Sequence, residues 1–168
     1  MLKDSQYCSN EFNEKRSQVH RNAISWMAFF NCNKINKHEL DTIEKLDNLL
    51  SLGSLGSFME ENGPSVAECL VKLLKCVSQG PSVEYLLDLM LRLFESQPRS
   101  IMYFEGRNYS YMCECLTKIM TSLADFASVA AFCLLAKVFC FGTQPIDEGH
   151  FHAFMVFAKV QIGTNVGF

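Results

Sequence analysis

Cysteine and histidine are the residues of this chain that could support metal binding or nucleophilic chemistry. The 168 residues include eight Cys and four His. The pairs Cys113-x-Cys115 and His150-x-His152 place two such side chains close together. Structural zinc sites use Cys pairs separated by two to four residues, and no C-x-x-C occurs here. Residues two positions apart on a helix do not share a face. We therefore predict no catalytic, cofactor-binding or metal-binding residue.

The cysteines are best interpreted as reduced thiols that pack as small hydrophobic side chains. Several of them have Leu, Val or Phe neighbours: Cys69, Cys76, Cys133 and Cys140. Residues 1–18 contain no apolar run and so do not form a secretory signal, and cytosolic proteins rarely keep disulfides. A metal- or thiol-dependent enzyme built on Cys113, Cys115 and the histidines stays open as an alternative, which a metal analysis of the purified protein would test.

The other polar candidates fit solvated helix faces. His20 and His38 are single residues on predicted polar faces. Asp41 and Glu44 form a carboxylate pair on one helical turn, beside lysines at positions 37 and 45. The sequence contains no phosphate-binding glycine loop and no nucleophile-elbow pattern. An enzymatic function is therefore not predicted.

Composition and charge exclude further classes of protein. The net charge is −3 and no long block of Lys or Arg occurs, so binding to nucleic acid phosphates is not supported. Hydrophobic residues make up 49% of the chain, which is too many for a disordered protein. The longest apolar stretch, residues 126–141, contains Ser128 and Lys137 and is shorter than the roughly 20 residues of a membrane span. We expect a buried helix there, and membrane association only through partners.

An internal repeat predicts the fold class. Glu68-Cys69-Leu70-x-Lys72 returns 46 positions later as Glu114-Cys115-Leu116-x-Lys118, within the similar segments 68–94 and 114–139. Two-helix repeats of about 40–47 residues are typical of HEAT and armadillo arrays, which stack into a superhelix with an extended binding surface. Because no segment alternates like a strand, we predict an all-α, HEAT/armadillo-like helical-repeat superhelix over residues 1–168.

Local signals predict the first helices. The first spans about residues 10–31, with Trp26 in the protein core. The second opens at Asn36, whose side chain can form a capping box with Glu39. The Gly/Ser-rich segment that follows predicts a flexible loop at about 51–63.

Proline and glycine predict the boundaries of the later helices. The third begins at Gly63-Pro64, with a possible capping box from Ser65, and ends at Gly80. The remaining predictions are a fourth helix from Pro81 to near Pro98, a short fifth over 99–105, a sixth from near Asn108 to Ser122, a seventh ending at Gly142 and an eighth capped by Asp147. The eighth carries many large apolar side chains: Phe151, Phe154, Met155, Phe157 and Val160. We expect an exposed apolar patch there, where a further repeat would dock.

A family resemblance follows from the first and later helices. The run Arg21-Asn22-Ala23-Ile24-Ser25-Trp26, then Ile35, then Glu39-Leu40-Asp41-x-Ile43 resembles the opening of the H subunit of the vacuolar proton-pumping ATPase (V-type ATPase). The segments 83–90 and 130–137 are similar to later helices of that family. The resemblance covers about residues 15–160, so we expect this chain to be the amino-terminal domain without the family's carboxy-terminal domain.

The resemblance implies a regulatory subunit of a rotary pump that has no catalytic residues and no cofactor. The family's subunit is peripheral on the cytosolic face of vacuolar, endosomal and lysosomal membranes. It contacts the peripheral stalk and the cytosolic part of the large membrane subunit, and it supports ATP-driven proton transport. Its amino-terminal domain is linked to activation and stalk contact, and its carboxy-terminal domain to silencing of ATP hydrolysis.

The sequence alone leaves the partner-binding residues unknown. The polar face of the first helix is a candidate contact, through Glu11, Glu14, Arg21 or Asn22, although the same residues fit a solvated face. The alternative function is an armadillo-type peptide-binding adaptor in trafficking or endocytosis. Such a module would carry a ladder of aromatic and Asn residues along its groove, and this chain has one Trp and no visible Asn ladder.

Overall fold

The structure, a computed structural model, describes residues 2–77, 79–122 and 125–164. These ranges are helical with short connections and contain no strand, which confirms the all-α prediction. The described helices are α1 Leu2–Arg21, α2 Trp26–Asn31, α3 Lys37–Ser51, α4 Phe58–Cys76, α5 Pro81–Ser96, α6 Gly106–Ser122, α7 Asp125–Phe141 and α8 Glu148–Thr164. A 3₁₀ helix, Pro98–Tyr103, connects α5 to α6.

The internal repeat corresponds to two stacked helix pairs. Its first copy lies in α4 and α5, and its second in α6 and α7. Equivalent helices contact each other, because α4 packs on α6 and α5 packs on α7. Leu70 and its counterpart Leu116 are both fully buried. The prediction of a helical-repeat fold is therefore confirmed.

The helices form two layers in the described part of the chain. Contacts run from α3 to α4, from α4 to α6 and from α6 to α8 in one layer, and they join α1, α5 and α7 in the other. Helix α5 is the centre of the core, since every residue from Tyr85 to Leu91 is buried. This burial on all sides matches the sequence of residues 85–94, which is apolar except for Asp88 and Arg92.

Two predicted helix caps are confirmed. Asn36 Oδ1 accepts a hydrogen bond from the Glu39 backbone N–H at 2.9 Å, and Glu39 Oε2 accepts one from the Asn36 N–H at 2.7 Å. At the start of α8, Asp147 Oδ1 accepts from the N–H groups of Gly149 and His150. Such side chains satisfy donors that have no partner within the helix.

The capping carboxylate of α3 also connects α3 to α4, its neighbour in the same layer. Lys72 Nζ of α4 lies 2.9 Å and 2.7 Å from the two carboxylate oxygens of Glu39. Burial alone would raise the pKa of Glu39, but the hydrogen bonds from Lys72 and from the Asn36 backbone outweigh it and lower that pKa. The carboxylate thus stays ionised in its dual role as cap and ion-pair partner.

The predicted first helix of residues 10–31 is wrong, because the chain breaks into α1 and α2. Ser25 has an extended backbone, with φ −90° and ψ 106°, immediately before Trp26 starts α2. Helix α1 packs on α5 and α7, whereas α2 packs on α3. One straight helix could not present its buried stripe to both surfaces. Trp26 is buried, as predicted, but its neighbours Ala23 and Met27 are exposed.

The predicted start of the third helix at Gly63-Pro64 is also wrong. Helix α4 begins at Phe58, so Gly63 and Pro64 lie inside it and Ser65 cannot cap it. Gly63 is buried, and a Cβ atom at this position would lie 2.5 Å from the ring of Tyr103. The glycine therefore permits close packing of the 3₁₀ helix on α4, and it does not end or begin a helix.

Two other boundaries differ from the predictions. Gly80 does not end α4, which stops at Cys76. It is the residue before α5, and its φ of 79° favours glycine. The predicted fifth helix is the 3₁₀ helix, and Gly106 is the first residue of α6.

We expect Gly63→Ala to lower the free energy of unfolding by about 1–2 kcal/mol. The new methyl group overpacks against Tyr103, which typically costs about 1–3 kcal/mol, while the better helix propensity of Ala returns up to about 1 kcal/mol. Gly163→Ala in α8 is the matched control, because a Cβ atom there meets no atom within 4 Å. Urea titration of both variants tests this, and an unchanged or raised stability of Gly63→Ala would refute the close packing.

Candidate functional site

The sequence-predicted polar residues do not come together at one site. His38 is exposed on α3, and Asp41 makes an exposed ion pair with Lys37 at 2.8 Å. Glu44 is exposed, while Lys45 lies over the ring of Phe58 with its Nζ 5.1 Å from the centroid. These residues form a charged outer surface on α3.

The two histidines near the end of the chain lie on α8. His150 is half-buried and His152 is exposed. The described residues contain no group of three or more His, Cys, Asp or Glu side chains that could hold a metal ion. The arrangement offers no geometry on which metal chemistry could be argued.

The cysteines differ in exposure. Cys69 and Cys113 are buried, whereas Cys32, Cys76 and Cys140 are exposed. Burial raises the pKa of Cys69 to about 12 and that of Cys113 to about 11. These two thiols are therefore protonated packing groups near neutral pH and not nucleophiles.

Thiol labelling should separate the two groups of cysteines. At pH 8 we expect a disulfide reagent to modify Cys32, Cys76 and Cys140 in the folded chain at least about 100-fold faster than Cys69 and Cys113, because the reaction needs an accessible thiolate. Mass spectrometry of peptides after timed quenching measures each site. Comparable rates at Cys69 and Cys32 would show that α4 is not packed as described, and labelling in denaturant supplies the fully accessible reference.

A partly buried charged network joins α1 and α3 to α5. Asp88 is only 1% exposed. It accepts hydrogen bonds from Arg16 Nε at 2.7 Å and from Arg92 Nε at 2.9 Å. Arg16 also makes a two-fold hydrogen bond to Glu95, with N–O distances of 3.0 Å and 2.7 Å. Burial alone would lower the pKa of Arg16, but the hydrogen bonds to Glu95 and Asp88 raise it, so the guanidinium is always charged.

Asp47 of α3 is the third carboxylate of this network, after Asp88 and Glu95. It accepts hydrogen bonds from Trp26 Nε1 at 2.9 Å, from the Tyr85 hydroxyl and from Arg92 Nη2 at 3.2 Å. Burial, and then the nearby charge of Asp47, raise the pKa of Tyr85 to about 12. Together Asp47 and Asp88 connect the first three helices to α5.

Sequence reasoning missed this network, although a signal for it was present. Asp88 and Arg92 are four positions apart in the otherwise apolar middle of α5, residues 85–94. Charged residues in a helix that is buried on all sides must be paired, and this spacing brings them together. No local signal identified Arg16 as the third member. His20 is exposed, with its Nδ1 3.6 Å from Asp88 Oδ2.

An open depression of about 290 Å³ lies beside the network. Its lining residues come from the α1–α2 connection, α2, α3 and α5: Ala23, Trp26, Glu44, Asp47, Asn48, Ser51 and Tyr85. The polar groups of Asp47 and Tyr85 are already paired with each other, with Trp26 and with Arg92. The polar side chains of Asp47 and Tyr85 are therefore engaged within the protein itself.

The edge of the fold at α8 carries the predicted apolar patch, with a correction. Phe151, Met155 and Val160 are exposed, as predicted. Phe154 and Phe157 are instead half-buried, because their rings pack on Phe132 of α7 at centroid distances of 4.6 Å and 5.4 Å. Other exposed apolar side chains extend this edge: Phe141, Ile146 and Val156.

The candidate contact residues of the first helix are all on the surface. Glu11, Glu14, Arg21 and Asn22 are exposed, which is equally expected of a solvated face. Their role in contact stays a prediction. Among the described residues, no helix is both long enough and apolar enough to cross a membrane.

Comparison with known proteins identifies the family. The family model for the H subunit of the V-ATPase, amino-terminal part, matches residues 10–162. The chain belongs to this family. The match covers every helix from α2 to α7, and most of α1 and α8. The resemblance inferred from Trp26 and the later helices is thereby confirmed.

One curated relative shows how far the likeness extends. The H subunit of the V-type proton ATPase of Drosophila melanogaster is 19% identical over 155 residues, which are 90% of this chain and 32% of the relative. The chain thus spans about a third of the length of that relative. The family match favours a proton-pump subunit over the alternative of a peptide-binding adaptor.

Proposed function

We propose that the chain is a non-catalytic, regulatory part of the vacuolar proton-transporting ATPase. In this role it binds the peripheral stalk and the cytosolic part of the large membrane subunit, on the cytosolic face of vacuolar, endosomal or lysosomal membranes. Membership of the V-ATPase H-subunit family over residues 10–162 is the observation that carries the proposal. ATP hydrolysis and proton movement then belong to other subunits, and no cofactor or nucleic acid is required.

The physical role proposed is that of a brace. A rotary pump must resist torque between its stalk and its membrane sector, so a brace between them has to bend little. Stacked helix pairs meet this requirement, because α4 packs on α6 and α5 on α7 through a continuous apolar core. The Arg16–Asp88–Arg92–Asp47 network adds polar connections between α1, α3 and α5.

A reconstitution experiment tests the regulatory role. Vacuolar membrane vesicles that lack the H subunit are mixed with the purified chain, and ATP-dependent acidification is followed with a pH-sensitive dye. We expect partial recovery of acidification, since the chain spans only about a third of its relative. If the chain binds the vesicles but changes neither acidification nor ATP hydrolysis, the regulatory role is refuted.

A further inference from the structure

The described side chains of α1, at residues 10–21, contact the rest of the molecule mainly along one narrow stripe. Phe12, Arg16 and Val19 stand at i, i+4 and i+7, and they are the buried or half-buried side chains of its described face. The ring of Phe12 stacks on Phe126 of α7 at 5.1 Å. The other residues of this segment are exposed: Asn10, Glu11, Asn13, Glu14, Lys15, Ser17, Gln18, His20 and Arg21.

The surface beneath α1 is both acidic and apolar. Asp88 and Glu95 of α5 lie two turns apart on one face, and both bind the guanidinium of Arg16. Phe126 of α7 supplies an aromatic surface beside them. This combination recognises an arginine and an aromatic residue on one face of a helix, with geometry that a lysine could not reproduce.

Several polar contacts in the body of the protein do not involve α1. Asp88 retains the hydrogen bond from Arg92, and Arg92 retains Asp47. The residues after α1 are held separately, because Trp26 is buried and donates to Asp47. Residues 22–25 form the non-helical connection between these two parts. Helix α1 can therefore detach without unfolding of the rest of the protein, as other segments with few buried contacts do.

We propose that the α5–α7 surface under α1 is a helix-binding groove that α1 occupies in cis. Its partner in trans is an amphipathic helix with Phe and Arg four residues apart and a small apolar residue three positions further on. Docking of such a helix uses the helix-in-groove mode of recognition, with an ion pair that fixes its register.

Because α1 occupies the groove, another helix can bind there only when α1 is displaced. The apparent dissociation constant of a competing helix is its intrinsic value divided by the fraction of molecules whose groove is open. A partner therefore binds poorly until α1 is displaced, and weakening the Arg16 contact raises its apparent affinity. This inference does not depend on the assignment to the proton pump, because it concerns contacts within the chain itself.

The test is a fluorescence-anisotropy titration with a labelled synthetic peptide of residues 10–22. The proteins are the full chain, its Arg16→Ala variant and its Lys15→Ala variant, which alters an exposed neighbour. We expect the peptide to bind Arg16→Ala at least about 10-fold more tightly than the unaltered chain or Lys15→Ala, because only loss of Arg16 opens the groove. In a chain that already carries Arg16→Ala, the second substitution Glu95→Gln should weaken peptide binding about 10-fold. Glu68→Gln in the same chain is the control, because Glu68 lies on the other layer, and it should leave peptide binding unchanged.

Two results would overturn the proposal. One is that the peptide and the same peptide with Arg16→Ala bind the Arg16→Ala chain with equal affinity. The other is that the Arg16→Ala chain and the unaltered chain bind the peptide with equal affinity. Hydrogen exchange of the unaltered chain gives an independent measurement, since the amides of α1 should exchange at least about 10-fold faster than those of α5. Exchange of both helices at one rate, or global unfolding of Arg16→Ala, would show that α1 is an inseparable part of the core.

Discussion

Replacement of Asp88 by Asn is expected to lower the free energy of unfolding by about 3 kcal/mol. Removing one partner of a buried ion pair typically costs about 3–5 kcal/mol, because the remaining charge is left in a poorly solvated position. The lower end applies here, since Arg16 keeps Glu95 and Arg92 keeps Asp47. Urea unfolding followed by circular dichroism at 222 nm gives the difference.

The matched control for this prediction is Asp41→Asn. Asp41 forms an exposed ion pair with Lys37, and its side chain is 58% exposed. Exposed pairs contribute about 0–1 kcal/mol, so the control should change stability by less than about 0.5 kcal/mol. If Asp88→Asn and Asp41→Asn lose the same small amount, the network is not a structural connection between α1 and α5.

Trp26→Ala should cost about 3–5 kcal/mol, as expected for loss of a large buried aromatic side chain. Trp26 is 5% exposed, and its ring lies 5.9 Å from that of Tyr85. Its indole N–H also donates to Asp47, which the truncated side chain cannot do. A loss below about 1 kcal/mol in a denaturant titration would show that Trp26 is not part of the core.

Two further variants separate packing from hydrogen bonding at this position. Trp26→Phe retains most of the aromatic surface but removes the donor to Asp47, and we expect a smaller loss of about 1–2 kcal/mol. Met27→Ala alters the adjacent residue of α2, which is 44% exposed, and should change stability by no more than about 0.5 kcal/mol.

Elements with local signals were predicted well from the sequence. The capping box between Asn36 and Glu39 and the start of α5 at Pro81 both follow from residues within one helical turn. The repeat in α4–α7 was visible because its two copies keep the same residue types at equivalent buried positions, such as Leu70 and Leu116. The family resemblance rested on the same kind of ordered pattern, and the comparison confirms it.

Elements decided by distant contacts were not predicted. The helix breaks between α1 and α2, and Arg16 of α1 forms a hydrogen bond with Asp88, which lies 72 positions away in the sequence. The position of Gly63 inside α4 depends on Tyr103 of the 3₁₀ helix. Because no local pattern records which partner will pack at such positions, glycine and proline at 63 and 64 were interpreted as a helix start.

The candidate site likewise contains features that local patterns predict and features that distant contacts decide. Surface exposure of Glu11, Glu14 and Arg21 follows from the amphipathic pattern of α1. Contact between these residues and another protein of the pump stays a prediction, because it depends on a partner surface that this sequence does not encode. The apolar edge at α8 was predicted from composition, but the burial of Phe154 and Phe157 depends on Phe132 of α7.

The most direct test of the central claim is a calorimetric titration of the reduced, folded chain against the peripheral-stalk heterodimer of the vacuolar proton ATPase. Circular dichroism and a cooperative unfolding transition first establish that the chain is helical and folded. The proposed stalk contact predicts saturable binding with one chain per heterodimer. Absence of heat and of complex formation with a chain that passes both checks would contradict the proposal that this domain braces the stalk.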